Sequence, residues 1–246
     1  MKSNPAHSLS SIQLIAFDLD GTLANTEAVS IPSAVATLRD EFGVPITLDY
    51  FYENLHGLTG QALATAIYQQ LGIKLDAAAY MQRRAEMVPG MFASGVQPAP
   101  GMLQALRNLV AAGQQLCICS NSMPERIAYT LNHITGQHSA GINLPSLFEG
   151  HLFSATGTSG TGQAKPAPDV YLAAAAAYKA NPKKCLAVED SPVGVASAIA
   201  AGFTCLGYNG LTRHADDEAA NLTAAGAKAV FRHWDDFIPL LSTLKI

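Results

Sequence analysis

The chain reads as an α/β protein, a doubly wound parallel sheet carrying an inserted block of helices. Three observations predict it. Short, almost wholly apolar runs, the signature of strands buried on both faces, alternate with helical stretches through the second half of the sequence. Several of these runs stop abruptly in small clusters of polar and acidic residues. From Glu27 to about Phe92, by contrast, the strand signal all but vanishes and helical periodicity takes over.

The first strand is Leu14-Ile15-Ala16-Phe17, which delivers Asp18-Leu19-Asp20-Gly21-Thr22. Carboxylates at the end of a buried strand cost stability unless a cation compensates them. Residues i and i+2 of an extended segment point the same way, so Asp18 and Asp20 are expected to face the space beyond the strand's C-terminal end, where open α/β sheets bind ligands. The plain alternative is an Asp-Gly turn with no further role. Within the inserted block, Ala62–Leu71 and Ala77–Phe92 carry helical spacing. Pro98-Ala99-Pro100-Gly101 suits a hinge and a helix start, and Met102–Ala112 is an amphipathic helix leading into a second strand, Leu116-Cys117-Ile118-Cys119. That strand ends in Ser120-Asn121-Ser122. Gly136–Pro145 reads as a surface insertion without function. A third strand, Leu152-Phe153-Ser154, precedes a Gly-rich stretch and then Gln163-Ala164-Lys165-Pro166-Ala167-Pro168-Asp169, where a lone lysine stands before a new helix, Asp169–Lys179. The Ala173–Ala177 run inside it is helix-forming composition. Cys185-Leu186-Ala187-Val188 ends in Glu189-Asp190-Ser191, with Pro192 and the helix Val193–Ala201 behind it. Thr204–Leu206 and Ala229–Phe231 complete the strands, and no internal repeat is visible.

Each polar ending has a bland reading: Ser120 and Ser191 as helix N-caps, Lys165 as a solvated loop charge, Glu189 and Asp190 as acids favoured by a helix dipole. Together they describe something else. Carboxylates, a hydroxyl and a lysine at one edge of one sheet make a site for a cation and an anion, with hard oxygen ligands suited to Mg²⁺ and a lysine with backbone N–H groups suited to phosphate.

The four segments, in this order, resemble the four motifs of the haloacid dehalogenase-like superfamily, in the branch with a small helical cap inserted after the first motif. The similarity runs from about Leu14 to Phe231. It implies a Rossmann-like catalytic core over residues 1–25 and 97–246, with a helical cap over 26–96. By that resemblance Asp18 is the nucleophile that takes a phosphoryl group and Asp20 the general acid/base. Asp190 would complete a Mg²⁺ site with Asp18 and the backbone carbonyl of Asp20, with Glu189 beside it; Ser120, the amide of Asn121 and Lys165 would hold the phosphate oxygens. Substrate choice would fall to the cap loop around His56, Gly57, Thr59 and Gln61. Asn25 and Ala164 depart from the family pattern, which has Asp and Gly there, and put local geometry rather than the reaction in question.

The resemblance therefore implies a Mg²⁺-dependent phosphatase acting on a small phosphorylated metabolite, a sugar phosphate or phospho-acid, through an aspartyl-phosphate. Asp20 argues against the dehalogenase and phosphonate-cleaving branches, which lack that acid. The alternatives are a sugar-phosphate mutase, against which stand Ser30 in place of a His and Gly60 in place of an Arg, and a catalytically idle metabolite-binding protein of the same fold. Lys165, placed on a loop, is expected to pack little, so that its loss would remove activity rather than the fold.

Composition fits. With 246 residues, 49% of them hydrophobic, the chain has ample material for a core, and its net charge of −4 offers no basic patch for nucleic acid. No run approaches the ~20 apolar residues of a membrane span. Met1-Lys2-Ser3-Asn4-Pro5 reads as a short lead-in rather than a signal peptide. Cys117, Cys119, Cys185 and Cys205 all fall in strands, where they act as small hydrophobes, and reduced thiols agree with a cytoplasmic address; a monomer is expected. The histidines lack metal-ligand spacing, His133 and His138 lying at the surface around a helix end. Gly157–Gly162 fails the phosphate-loop spacing because Pro166 follows Lys165.

Overall fold

The protein is described here by a computed structural model covering residues 11–156 and 160–244; the lead-in Met1–Pro5 and positions 157–159 of the Gly157–Gly162 stretch lie outside the described residues. Among the described residues, six strands build one sheet: β1 Leu14–Phe17, β2 Leu116–Ser120, β3 Leu152–Ser154, β4 Cys185–Glu189, β5 Thr204–Tyr208 and β6 Ala229–Phe231. Their spatial order is β3-β2-β1-β4-β5-β6 and every neighbouring pair is parallel. The chain thus winds outward from β1 in one direction, returns, and winds outward in the other. Between β1 and β4 the order reverses, and a crevice opens there at the C-terminal ends of the strands.

The chain divides into two compact units, one of Met1–Asn25 with Val96–Ile246 and one of Thr26–Gly95. The second is all helical: α1 Glu27–Asp40, α2 Leu48–Asn54, α3 Gly60–Leu71 and α4 Ala77–Phe92. Ile31, Val35 and Leu38 fall at helical spacing on α1, as do Leu63 and Ile67 on α3, and they bury against Phe51, Leu55 and Tyr80. Gln61, expected in a loop, lies in the first turn of α3, because Thr59 takes the extended N-cap conformation and starts the helix at Gly60. His56, Gly57 and Thr59 precede it, and the His56 ring lies 3.0 Å from the Glu27 carboxylate.

In the sheet unit, α5 Met102–Ala111, α6 Pro124–His133, α7 Leu144–Leu147, α8 Asp169–Ala177, α9 Pro192–Ala200, α10 Ala215–Ala224 and α11 Phe237–Leu241 complete the structure. Strand alternation sorts the core into two chemistries. Leu14 and Ala16, Cys117 and Cys119, Cys185 and Ala187, and Cys205 share one packed cluster with Val170, Tyr171 and Ala174 of α8 and with Val195 and Ala198 of α9. Small side chains on both surfaces let these helices approach closely, and the thiols serve here as packing atoms. The intervening Phe17 instead packs 5.9 Å from Trp234 and 6.4 Å from Phe237, ring centre to ring centre.

One expectation needs correction. Gly136–Pro145 is not simply a surface insertion: Gln137 is 4% exposed and Leu144 fully buried. The Gln137 amide donates to the carbonyls of Leu131 and Ile134, and its oxygen accepts from the Leu144 N–H, so a single glutamine satisfies the exit from α6 and the entry to α7. Among the described residues no helix is long and apolar enough to cross a membrane.

Candidate active site

Asp18 follows the last residue of β1, and its N–H still donates to Val188 O of β4 at 2.9 Å, which fixes the first acid at the crevice between the two strands. The chain then turns sharply. Gly21 has φ +83°, and a Cβ there would run into the Asp190 carboxylate, so glycine is required both by the backbone and by the acid arriving from β4. Asp18, Glu189 and Asp190 bring a carboxylate oxygen each within 4.8 Å of one another.

Lys165 lies at the centre of this arrangement. It is 7% exposed, so neither the solvated-charge reading nor the expectation that it packs little survives. Its ammonium has three protons and spends them on Asp18 Oδ1 at 2.7 Å, Glu189 Oε1 at 2.6 Å and the Cys119 carbonyl at 2.8 Å. Burial alone pushes the lysine pKa down, but the two carboxylates outweigh it and hold the group above its ordinary value, so it stays charged. For Asp18 the balance differs: burial, aided by the Glu189 charge, overcomes the attraction of Lys165 and pushes its pKa up to about 7. One lysine is shared by two buried acids, and Asp18 is left short of positive charge.

Glu189 is fully buried. Its Oε1 accepts from both Lys165 and the Tyr171 hydroxyl of α8, while Oε2 has no hydrogen-bond partner among the described residues. The Tyr171 ring also lies beneath the ammonium, 5.3 Å from Nζ to the ring centre. A buried oxygen without a donor, an acid with a raised pKa and a third carboxylate within reach form a donor set of hard oxygens with surplus negative charge. Such a set fits a divalent cation.

The Asp20 carboxylate turns elsewhere. Oδ2 accepts from the Ser122 hydroxyl at 2.7 Å and Oδ1 from Arg126 Nη2 at 3.3 Å. Ser120, 2% exposed at the end of β2, accepts from the Ser122 N–H. Asn121 acts through its side chain as well as its backbone: Oδ1 accepts from the Lys165 N–H at 2.9 Å and the carbonyl accepts from the Thr156 hydroxyl, so the loop that bears the lysine is stitched to the end of β2. Ser191 caps α9, its hydroxyl accepting from the Gly194 N–H, as its bland reading had it.

The sheet therefore brings Asp18, Asp20, Ser120, Asn121, Lys165, Glu189 and Asp190 to one edge. His56, Gly57, Thr59 and Gln61 belong to the helical unit. Arg126 and Tyr171 escaped the sequence reading, and Ser122, named in the second polar cluster, was given no role there. Arg126 and Tyr171 sit on helices shortly after the second and third polar clusters, and only the helical turn that follows each cluster brings their side chains back to the strand ends.

Comparison with known proteins agrees with this geometry. The chain is 31% identical to the protein CbbY of Rhodobacter capsulatus over 89% of its own length and 97% of that protein. It is 28% identical to the 6-phosphogluconate phosphatase of Escherichia coli K12, covering 79% of this chain and 81% of that one. With a CBBY-like protein of Arabidopsis thaliana it shares 26% identity over 83% of its length, and it spans 66% of that longer relative. Among solved structures, a conserved haloacid dehalogenase-like protein of unknown function from Agrobacterium tumefaciens superposes with a TM-score of 0.78 at 28% identity, over 94% of this chain and 98% of that one. A family profile described as haloacid dehalogenase-like hydrolase matches residues 12–202, so a fold wound about a β1–β4 crevice and a sequence match across most of its length agree: the chain belongs to the haloacid dehalogenase-like hydrolases.

Proposed function

We propose that the protein is a Mg²⁺-dependent phosphatase of small phosphorylated metabolites, sugar phosphates or phospho-acids, working through a phosphoryl group carried on Asp18. The observation that carries this reading is the pairing of Asp18 Oδ1 with Lys165 Nζ at 2.7 Å beside the carboxylates of Glu189 and Asp190. A carboxylate attacks an anionic ester poorly unless the repulsion is offset. Asp18, Asp190 and Glu189, with the backbone carbonyl of Asp20, would hold Mg²⁺, which when bound supplies charge neutralisation and orients the phosphate oxygens. Ser120 and the amide of Asn121 would hold the phosphate with Lys165, whose ammonium would turn one of its three engaged protons from a carboxylate to a phosphate oxygen.

The first step forms a bond from an Asp18 oxygen to phosphorus as the bond from phosphorus to the leaving oxygen breaks, and Asp20 gives that oxygen its proton. In the second, Asp20 takes a proton from water as the water oxygen bonds to phosphorus, releasing phosphate and restoring the Asp18 carboxylate. The 28% identity to 6-phosphogluconate phosphatase supports a phosphorylated metabolite as substrate. His56, Gly57, Thr59 and Gln61 are the residues we propose to select it.

Release of phosphate from a panel of phosphorylated metabolites tests the reading, with and without chelator. Mg²⁺ should restore chelated enzyme, and Ca²⁺, with its looser geometry, should do so poorly. Asp18→Asn should yield neither turnover nor phosphoenzyme. Sugar phosphates isomerised with almost no free phosphate would favour a mutase instead, and full activity in excess chelator would sink the metal assignment.

A further inference from the structure

We propose that Arg126, with Ser122, is a positioning residue for the proton-transferring carboxylate of Asp20. The inference rests on the reading of Asp20 as general acid/base and extends it to residues outside the four motifs. Both oxygens of Asp20 are held: Oδ2 by the Ser122 hydroxyl at 2.7 Å and Oδ1 by Arg126 Nη2 at 3.3 Å. Asp20 itself sits on a tight turn, whereas its two donors come from firmly anchored structure. Ser122 is fixed through its N–H to the Ser120 hydroxyl at 3.1 Å and through its carbonyl, which accepts from Ser154 at 2.8 Å. Arg126 lies in the first turn of α6, next to Ile127, which is fully buried, with Leu131 one turn further on.

The two cations of the site are divided between the two aspartates. Lys165 serves Asp18 and Glu189, and Arg126 serves Asp20. Residue type matters here. A guanidinium neither gives up nor accepts a proton across the working pH range, so it can orient a carboxylate that must carry one without competing for it. A stabilising role explains the pair less well, because the side chains of Arg126 and Asp20 are 30% and 25% exposed and ion pairs open to water add little to folding.

The test is a double-mutant cycle with Arg126→Ala and Asp20→Asn, measured on two esters: a sugar phosphate that the unmodified protein turns over, and 4-nitrophenyl phosphate, whose leaving group needs little protonation. Misplacing the acid should slow kcat for the sugar phosphate by about 10- to 100-fold and leave the aryl ester within roughly threefold, with KM for both nearly unchanged. In the Asp20→Asn background the same substitution should add almost nothing, and Arg126→Lys should recover part of the loss. Arg126→Gln, which keeps the stem and a donor, stands in if the alanine variant melts early. Equal losses on both esters, or a raised KM with kcat intact, would overturn the inference, the latter by making Arg126 a substrate-binding group. So would a full Arg126 effect that persists without Asp20. If Asp20→Asn alone leaves sugar-phosphate turnover intact, the reading of Asp20 as acid/base fails; if Asp20→Asn is crippled while Arg126→Ala is not, only the positioning role does.

Discussion

On the proposed function, Asp18 is where the needs of folding and of chemistry conflict. Its ordinary pKa of 3.8 is pushed up to about 7 in the folded chain, chiefly by burial. A folded acid with the higher pKa binds more protons than the unfolded chain between about pH 4 and 7, so the metal-free protein should lose stability as pH rises through that interval. The full difference is on the order of 4 kcal/mol, an upper figure because Lys165 is shared. Asp18→Asn should flatten that slope and raise the melting temperature of metal-free protein at pH 8, and thermal melts between pH 5 and 8 check both. Lys165 shows the converse dependence. Removing it strands the buried carboxylates of Asp18 and Glu189, and breaking a buried pair on one side costs about 3–5 kcal/mol. Lys165→Met should therefore lower the melting temperature as well as activity, the latter by about 10²–10³-fold. Adding Glu189→Gln should recover part of the stability and none of the turnover; a single variant as stable as the unmodified protein would show that the ammonium is not what holds the acids together.

Elements hold these groups in place through close approach. α9 starts beside the end of β4, and a Cβ on Gly194 would strike the Glu189 carboxylate. Gly194→Ala should thus gain nothing from its better helix propensity; it should displace Glu189, loosen Lys165 and depress both melting temperature and kcat, unlike an alanine substitution in a free helix. The same scale shows what could be read from sequence. β1, β2 and β4 announce themselves because strands buried on both faces must be apolar throughout, and their polar endings announce the site because nothing in packing asks for acids there. Asp18, Asp20, Glu189 and Asp190 were legible as candidates for that reason, and Lys165 as the lone lysine before a new helix. Arg126 and Tyr171 were not, since an arginine on a helix and a tyrosine in a core are ordinary, and their roles arise from distances of 3.3 Å and 5.3 Å that no local pattern encodes. The burial of Lys165 was hidden in the same way, because its ammonium reaches the Cys119 carbonyl of a strand formed far away in the chain, whereas Gln137 is buried by bonds to Leu131, Ile134 and Leu144 close by, in a stretch whose composition suggests solvent.

At the scale of the whole molecule, charge decides how ligands couple. The sheet edge gathers Asp18, Asp20, Glu189 and Asp190 against Lys165 and Arg126, within a chain whose net charge is −4. An approaching phosphate meets net negative potential, so phosphate alone should bind weakly. A divalent cation among the carboxylates would cancel the local surplus of negative charge that burial penalises. Each ligand then favours the other, and because coupling free energies are reciprocal, the gain in phosphate affinity on adding metal must equal the gain in metal affinity on adding phosphate. A ligand that binds only the folded state raises stability by about 2.7 kcal/mol at a hundredfold excess over its Kd. Melting temperatures measured with Mg²⁺, with inorganic phosphate and with both should therefore rise more for the pair than for the two separate increments together. In Asp18→Asn the excess should shrink, since the acid whose charge links the two ligands is gone. Purely additive shifts in the unmodified protein would mean that metal and anion occupy independent sites, and the phosphatase reading would lose its electrostatic basis.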